Sequence, residues 1–195
     1  PAFYRALREL CDERGLILIY DEVQTGVGRT GEWFFAGSQA GDGVVPDIVT
    51  LAKALASGIP VGACLVAEKI AAQIKENDLG TTFGGGMIAM AAVTATLEAI
   101  EQEHMLANVR EVETYLRGRL KEVDQIVRVR GLGFLLGVEF ADKVAPLHQG
   151  LLDRQIITGT SSDENVLSLL PPLCLQRAEV DRFVQALSEV AGGLK

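Results

Sequence analysis

The chain has 195 residues, 48% hydrophobic and 23% charged, a composition that suits one large or two small globular domains. Its 26 acidic against 18 basic residues leave a net charge of −8, with no basic footprint for nucleic acid or an anionic membrane surface. Three dispersed cysteines (Cys11, Cys64, Cys174) and only two histidines (His104, His148) supply neither a disulfide framework nor a zinc site, and imply buried thiols in a reducing compartment.

No apolar stretch reaches the roughly 18 to 20 residues of a membrane span, and the start lacks a basic region followed by an apolar one. The chain has no initiator Met and opens inside an amphipathic helix. Residues 1–14 place Phe3, Leu7, Leu10 and Cys11 at helical spacing, and Gly15 predicts the stop. Leu16–Tyr20 is a continuous apolar run, the pattern of a parallel strand covered on both faces, and its carboxyl end delivers Asp21. Residues 25–47 are glycine-rich without period and predict a long ordered loop. A second strand is expected from Ile48 to Ala52 and a third from Val61 to Ala67. A helix follows from Glu68 to about Lys75, which makes this alternating α/β material.

A second flexible loop, Gly80–Gly86, leads into an alanine-rich helix from Met87 to about Gln102, and another helix runs from Met105 to about Val123. The character changes at Ile126. Strands are expected at 127–130 and 134–140, turned by Gly131 and Gly133. A helix near 147–153, a strand at 166–170 stopped by Pro171-Pro172, and a closing helix over about 178–190 complete a small α+β domain.

Lys53 is the first chemical candidate. It follows an apolar run at a strand end, with small residues after it (Ala54, Ala56, Ser57, Gly58, Gly62), and can act as a Schiff-base nucleophile. An amine of ordinary pKa, about 10.4, needs a partly dry, electropositive setting for that role. Asp21 stands where open α/β sheets present ligands, and could keep a pyridine nitrogen protonated so that the ring accepts electrons. Taken alone, it is more often a cap. Gln24 could donate to a phenolate oxygen and Val23 could lie against a ring; each alone also fits loop packing. Thr81 and Thr82 precede a helix and could hold a phosphate or cap that helix. Residues 26–31 match G-x-G-x-x-G, but Asp21–Thr25 intervene after the strand and no helix begins at Gly31, so the dinucleotide reading lacks its context.

Together these motifs resemble the class III pyridoxal-phosphate aminotransferases, with the acetylornithine and ornithine branch most in view. The resemblance is carried by Asp21-Glu22-Val23-Gln24-Thr25-Gly26-Val27-Gly28-Arg29-Thr30-Gly31, then Leu51-Ala52-Lys53-Ala54-Leu55 with Pro60-Val61-Gly62-Ala63, then Thr81-Thr82-Phe83-Gly84-Gly85. It implies a fold type I α/β large domain with a mainly parallel sheet, followed by a small α+β domain. On that reading residues 1–104 are the carboxyl-terminal portion of the large cofactor-binding domain, and 105–195 are the small domain with its linking helix.

The resemblance further implies that Lys53 binds pyridoxal 5'-phosphate covalently and Asp21 pairs with its ring nitrogen. Val23 would pack on the ring and Gln24 approach the ring hydroxyl, with Glu22 counted among the cofactor residues. Thr82 would reach the phosphate of a neighbouring subunit's cofactor, making a homodimer with shared sites, and Thr81 would lie near the substrate. An amine donor and a 2-oxo acid acceptor are the implied substrates, and the cytoplasm the implied location, although an amino-terminal targeting region would not be visible here.

In family terms the chain corresponds to the carboxyl-terminal part only, and such a fragment is not expected to be a complete enzyme. At Ser168 many relatives carry an arginine that would grip a substrate α-carboxylate, a charge that serine cannot replace. An aminomutase, decarboxylase or racemase on the same scaffold, or a truncated non-catalytic fragment, are the alternative readings.

Overall fold

The computed structural model describes residues 2–193. The chain divides into two compact units. One runs to Gly28 and resumes from Glu32 to Glu103; the other takes Arg29–Gly31 and everything from His104 onward.

In the first unit α1 (Ala2–Arg14) precedes a three-stranded sheet of β1 (Ile19–Asp21), β2 (Ile48–Leu51) and β3 (Ala63–Val66) in the order β1-β2-β3. The sheet is mixed: β1 runs parallel to β2, whereas β3 is antiparallel. The apolar stripe of α1 explains its seat. Cys11, with Tyr4 and Leu7 beside it, packs on Leu18, Tyr20, Val44 and Val49, and Tyr4 meets the Phe35 ring edge-on at 5.1 Å.

Asp47 ties this core together. Its buried carboxylate accepts from Lys69 Nζ at 2.5 Å, the Leu18 amide at 2.8 Å and Arg8 at 3.0 Å. The Lys69 bond, followed by that of Leu18, holds the carboxyl well below the usual carboxylate range.

The expected coverage of β1 on both faces is corrected. The strand starts only at Ile19 and alternates exposed, buried, exposed; Ile19 is 54% exposed and Leu16 and Ile17 lie outside it. A continuous apolar run does not by itself say which face a given unit covers. The helix expected to reach Lys75 is a single short one, α2 (Glu68–Ala71), while α3 (Met87–Gln102) matches its expected span.

The second unit holds α4 (Met105–Leu120) and an antiparallel sheet of β4 (Ile126–Leu132), β5 (Leu135–Phe140), β6 (Gly159–Thr160) and β7 (Val166–Leu169), ordered β4-β5-β7-β6. It is completed by α5 (Ala145–Leu152) and α6 (Arg177–Gly193). Val109, Val112, Leu116 and Leu120 recur at spacings of three and four, so α4 presents one fully buried stripe. Each such side chain stabilises by about 1.5–3 kcal/mol. Leu136, Val138 and Phe140 alternate with half-buried neighbours along β5, so one sheet face is core. The two-residue β6 was not foreseen in the sequence, being too short to set a period.

Among the described residues no helix is long and apolar enough to cross a membrane.

Candidate active site

Two parallel strands build the site's frame. The β1–β2 register pairs Asp21 with Thr50, so the carboxyl ends of both strands lie at one end of the sheet, and Lys53 follows β2 there. The Glu22 amide continues the ladder to the Thr50 carbonyl at 3.0 Å. Thr50 also donates its hydroxyl to Asp21 Oδ1 at 3.1 Å, and the Val23 amide donates to the same oxygen at 3.0 Å. Both bonds fall on Oδ1, and Oδ2 has no partner among the described residues. An ionised carboxylate oriented through one oxygen and open at the other offers an acceptor to a cationic N–H donor.

Lys53 opens a one-turn 3-10 helix, Lys53–Ala56, and is exposed. Its φ of 44° is left-handed, a strained backbone for a non-glycine residue and one that clusters at functional positions. The turn is anchored from behind, with Leu55 and Ala56 buried, and Thr96 of α3 donates to the Ser57 hydroxyl at 3.0 Å. Lys53 is thus an exposed residue on a turn whose Leu55 and Ala56 are buried.

Glu22 departs from the expectation of cofactor contact. It is 2% exposed, and its carboxylate accepts from the Phe35 and Ala36 amides, both at 2.7 Å, and from the Thr25 hydroxyl at 3.2 Å. A carboxylate so engaged folds the loop back on the strand end and has turned inward. Val23 is half-buried and Gln24 exposed, its amide without a partner among the described residues. Close approach shapes this loop too: a Cβ on Gly26 would lie 2.9 Å from the Glu22 carbonyl and from Leu51 Cδ2.

Thr81 and Thr82 are exposed in the loop before α3, and neither hydroxyl bonds to another described residue. The capping alternative does not hold, because the N-cap of α3 is Gly86 and no side chain caps it. The structure brings Asp21, Val23 and Gln24 to the sheet end from which Lys53 follows, and ties no bond from them to Thr81 or Thr82. Residues 26–31 form a loop with Val27, Gly28 and Gly31 at positive φ and no helix after it, unlike a dinucleotide fingerprint.

In the second unit Ser168 sits on β7 between Gly137 of β5 and Gly159 of β6, its hydroxyl 3.4 Å from the Thr160 carbonyl. A cleft of about 590 Å³ in this unit is lined by Ile157, Gly159, Leu169, Leu170, Pro171 and Phe183 among others, and contains none of the expected site residues. Sequence reasoning missed Thr50, whose signal was the one hydroxyl in the apolar run from Ile48 to Ala52.

The family model described as aminotransferase class-III matches residues 1–191. An acetylornithine aminotransferase 1 of Bordetella bronchiseptica is 44% identical over 190 residues, 95% of this chain and 47% of that protein. An acetylornithine aminotransferase of Methanocaldococcus jannaschii is 39% identical over 197 residues, 99% of this chain and 48% of that protein. Among solved structures, the acetylornithine aminotransferase of Elizabethkingia anophelis superposes with a TM-score of 0.87 at 29% identity, covering 98% of this chain and 52% of that one. An S-selective transaminase from Arthrobacter sp. superposes at 0.89 and 27% identity, over 98% and 47%. The chain thus spans about half the length of the curated relatives it matches. With the fold, the strand-end lysine and aspartate and the match along nearly all of its length in agreement, the chain belongs to the class III aminotransferases.

Proposed function

We propose that this chain carries the lysine-bearing part of a pyridoxal-phosphate-dependent aminotransferase that moves an amino group from an amine or amino acid, of the acetylornithine or ornithine kind, to a 2-oxo acid. The single observation that supports it most is the pairing of Asp21 with Thr50 at the sheet end from which Lys53 follows, with Asp21 Oδ2 open.

When bound, pyridoxal phosphate supplies an electron-poor ring that takes up the charge left on a neighbouring carbon. Lys53 Nζ would hold the group covalently. The same nitrogen would serve as the base that holds and moves a proton at the reacting carbon. Asp21 Oδ2 would accept the ring N–H and keep it charged, while Thr50 and Val23 hold its other oxygen. Val23 and Gln24 would help hold the ring, and Glu22, bonded to Phe35, Ala36 and Thr25, shapes their loop. Thr82 offers a hydroxyl to the phosphate of a second copy's cofactor, with Thr81 beside the substrate. Exposed Leu79, Phe83, Met87 and Ile88, 74 to 92% accessible around these threonines, support a homodimer across this surface.

Lys53→Ala in the full-length protein is expected to abolish borohydride-stable attachment of the cofactor, read by mass. Persistent attachment elsewhere would reject the lysine's role. Turnover is expected to require a 2-oxo acid; product formed without one would point to an aminomutase, decarboxylase or racemase instead.

Ser168 favours a second reading of the donor. A neutral hydroxyl between two glycines has no charge for an α-carboxylate, which suits an amine lacking one. Comparing an amino acid with its decarboxylated amine as donor decides between them.

A further inference from the structure

Arg130 of β4 shares a row of the antiparallel sheet with Ser168. The register pairs Arg130 with Gly137, Gly137 with Ser168, and Ser168 with Gly159. Directly paired residues lie on the same face of a sheet. Leu136 and Val138 of β5 and Leu167 and Leu169 of β7 are buried on the core face, so the row from Arg130 to Gly159 lies on the opposite one. Two strand spacings, roughly 10 Å, separate the Arg130 backbone from that of Ser168.

The strand between them carries no side chain in this row. A Cβ on Gly137 would stand 3.5 Å from Arg130 Cγ and 3.7 Å from its Nε, so the arginine stem lies alongside this glycine. Its Nη2 ends 3.1 Å from Asp163 Oδ2, in the segment that leads from β6 into β7. That contact uses one nitrogen, with the Arg130 side chain 46% and that of Asp163 52% exposed. An exposed one-point pair contributes little, and a ligand carboxylate gripped through two N–H groups displaces it readily. Arg128, two residues earlier on the same face, is engaged more fully: its Nε and Nη2 both bond to Glu139 Oε2 across the strands, at 3.2 and 3.0 Å. Ser168 brings a second donor to the row, since its 3.4 Å bond to the Thr160 carbonyl is long for a hydroxyl.

We propose that Arg130 is a substrate-binding residue that supplies the cation Ser168 lacks: its guanidinium takes the carboxylate beside the oxo group of the 2-oxo acid acceptor, with the Ser168 hydroxyl as a second donor. This deepens the aminotransferase reading above and rests on it. The acceptor carries that carboxylate whichever donor is used, so both donor readings call for a cation to hold it. The site is built from the second unit's sheet alone. Arg128 provides the internal control, because it places the same charge on the same face but is already held by Glu139.

The test is calorimetric titration of the full-length holoprotein with 2-oxoglutarate, as wild type, Arg130→Gln, Arg130→Lys, Asp163→Asn and Arg128→Gln, with kcat/KM for acceptor and donor alongside. Arg130→Gln is expected to raise the 2-oxoglutarate Kd at least tenfold and to lower acceptor kcat/KM as much, and Arg130→Lys, which keeps the charge but loses the fork, to do so about threefold. Asp163→Asn removes the competing charge and is expected to lower Kd about threefold, while Arg128→Gln leaves it unchanged. For a donor amine without a carboxylate, kcat/KM is expected to stay at the wild-type value in Arg130→Gln, which a merely structural role would not allow. Wild-type Kd in Arg130→Gln, equal weakening in Arg128→Gln, or weaker binding in Asp163→Asn overturns the inference. If Arg130→Gln does not fold, an unchanged Kd in Arg130→Lys overturns it. A wild-type protein that transfers no amino group sinks the aminotransferase reading itself, which is seen before any variant is compared.

Discussion

Asp21 and Glu22 are adjacent carboxylates with opposite orientations, and the strand's alternation is the cause: one side chain leaves the sheet end for solvent while the next turns into the loop. Glu22→Ala leaves the part-buried Phe35 and Ala36 amides without their acceptor, and is expected to destabilise the full-length protein by about 2–4 kcal/mol in urea unfolding. Glu22→Gln, which keeps one acceptor oxygen, should cost less than half of that. Thr50→Val removes the hydroxyl bond to Asp21 and should weaken cofactor binding about three- to tenfold by titration, with little change in unfolding.

Asp47 sets a pH dependence. Its folded carboxyl titrates below the unfolded value of about 3.9, so its stabilisation is complete above that pH and is lost as pH falls toward the lower folded value. Unfolding free energy followed from pH 6 downward should drop below about pH 4, and Asp47→Asn should flatten that drop.

At the scale of elements, register decides what residue type suggests only loosely. Ser168 is one serine in an apolar strand until the pairing shows Gly137 and Gly159 on either side of it. Ser168→Arg is expected to lower KM for α-carboxylate donors about tenfold or more while leaving their decarboxylated amines unchanged, measured by steady-state kinetics. The β4–β5 hairpin depends on backbone in the same way. Gly131 has φ 112° and an added Cβ would collide with the Leu135 carbonyl, so Gly131→Ala should cost more than about 2 kcal/mol. Sequence placed the turn at Gly131 and Gly133. The structure puts Gly131 inside β4 opposite Leu136, and leaves the turn to Gly133 and Phe134.

For the molecule as a whole, large apolar side chains remain exposed in the first unit, Phe83 at 92% and Met87 at 89% among them. If they form the dimer surface proposed above, Phe83→Asp should shift the full-length protein toward monomer in sedimentation velocity, and should weaken cofactor binding with it.

The span of α4 was legible because one face is buried over several turns and period 3.6 needs only local spacing, whereas α3, in which Ile100 alone is buried, was legible from its alanine-rich run after a glycine loop. Lys53 and Asp21 were legible because a charge ending an apolar run stands out, and their shared motif carried the family. The sequence by itself thus determined the family and most of the order of elements, and singled out Lys53 and Asp21 as candidate positions. Only the tertiary structure decided that Glu22 turns inward, that Thr50 orients Asp21, that Thr82 caps nothing, and that Arg29 grips two carbonyls over 100 residues away in the chain. The physical reason is that spacing encodes which face a residue takes along its own element. What it meets there depends on strands and turns brought together from distant parts of the chain.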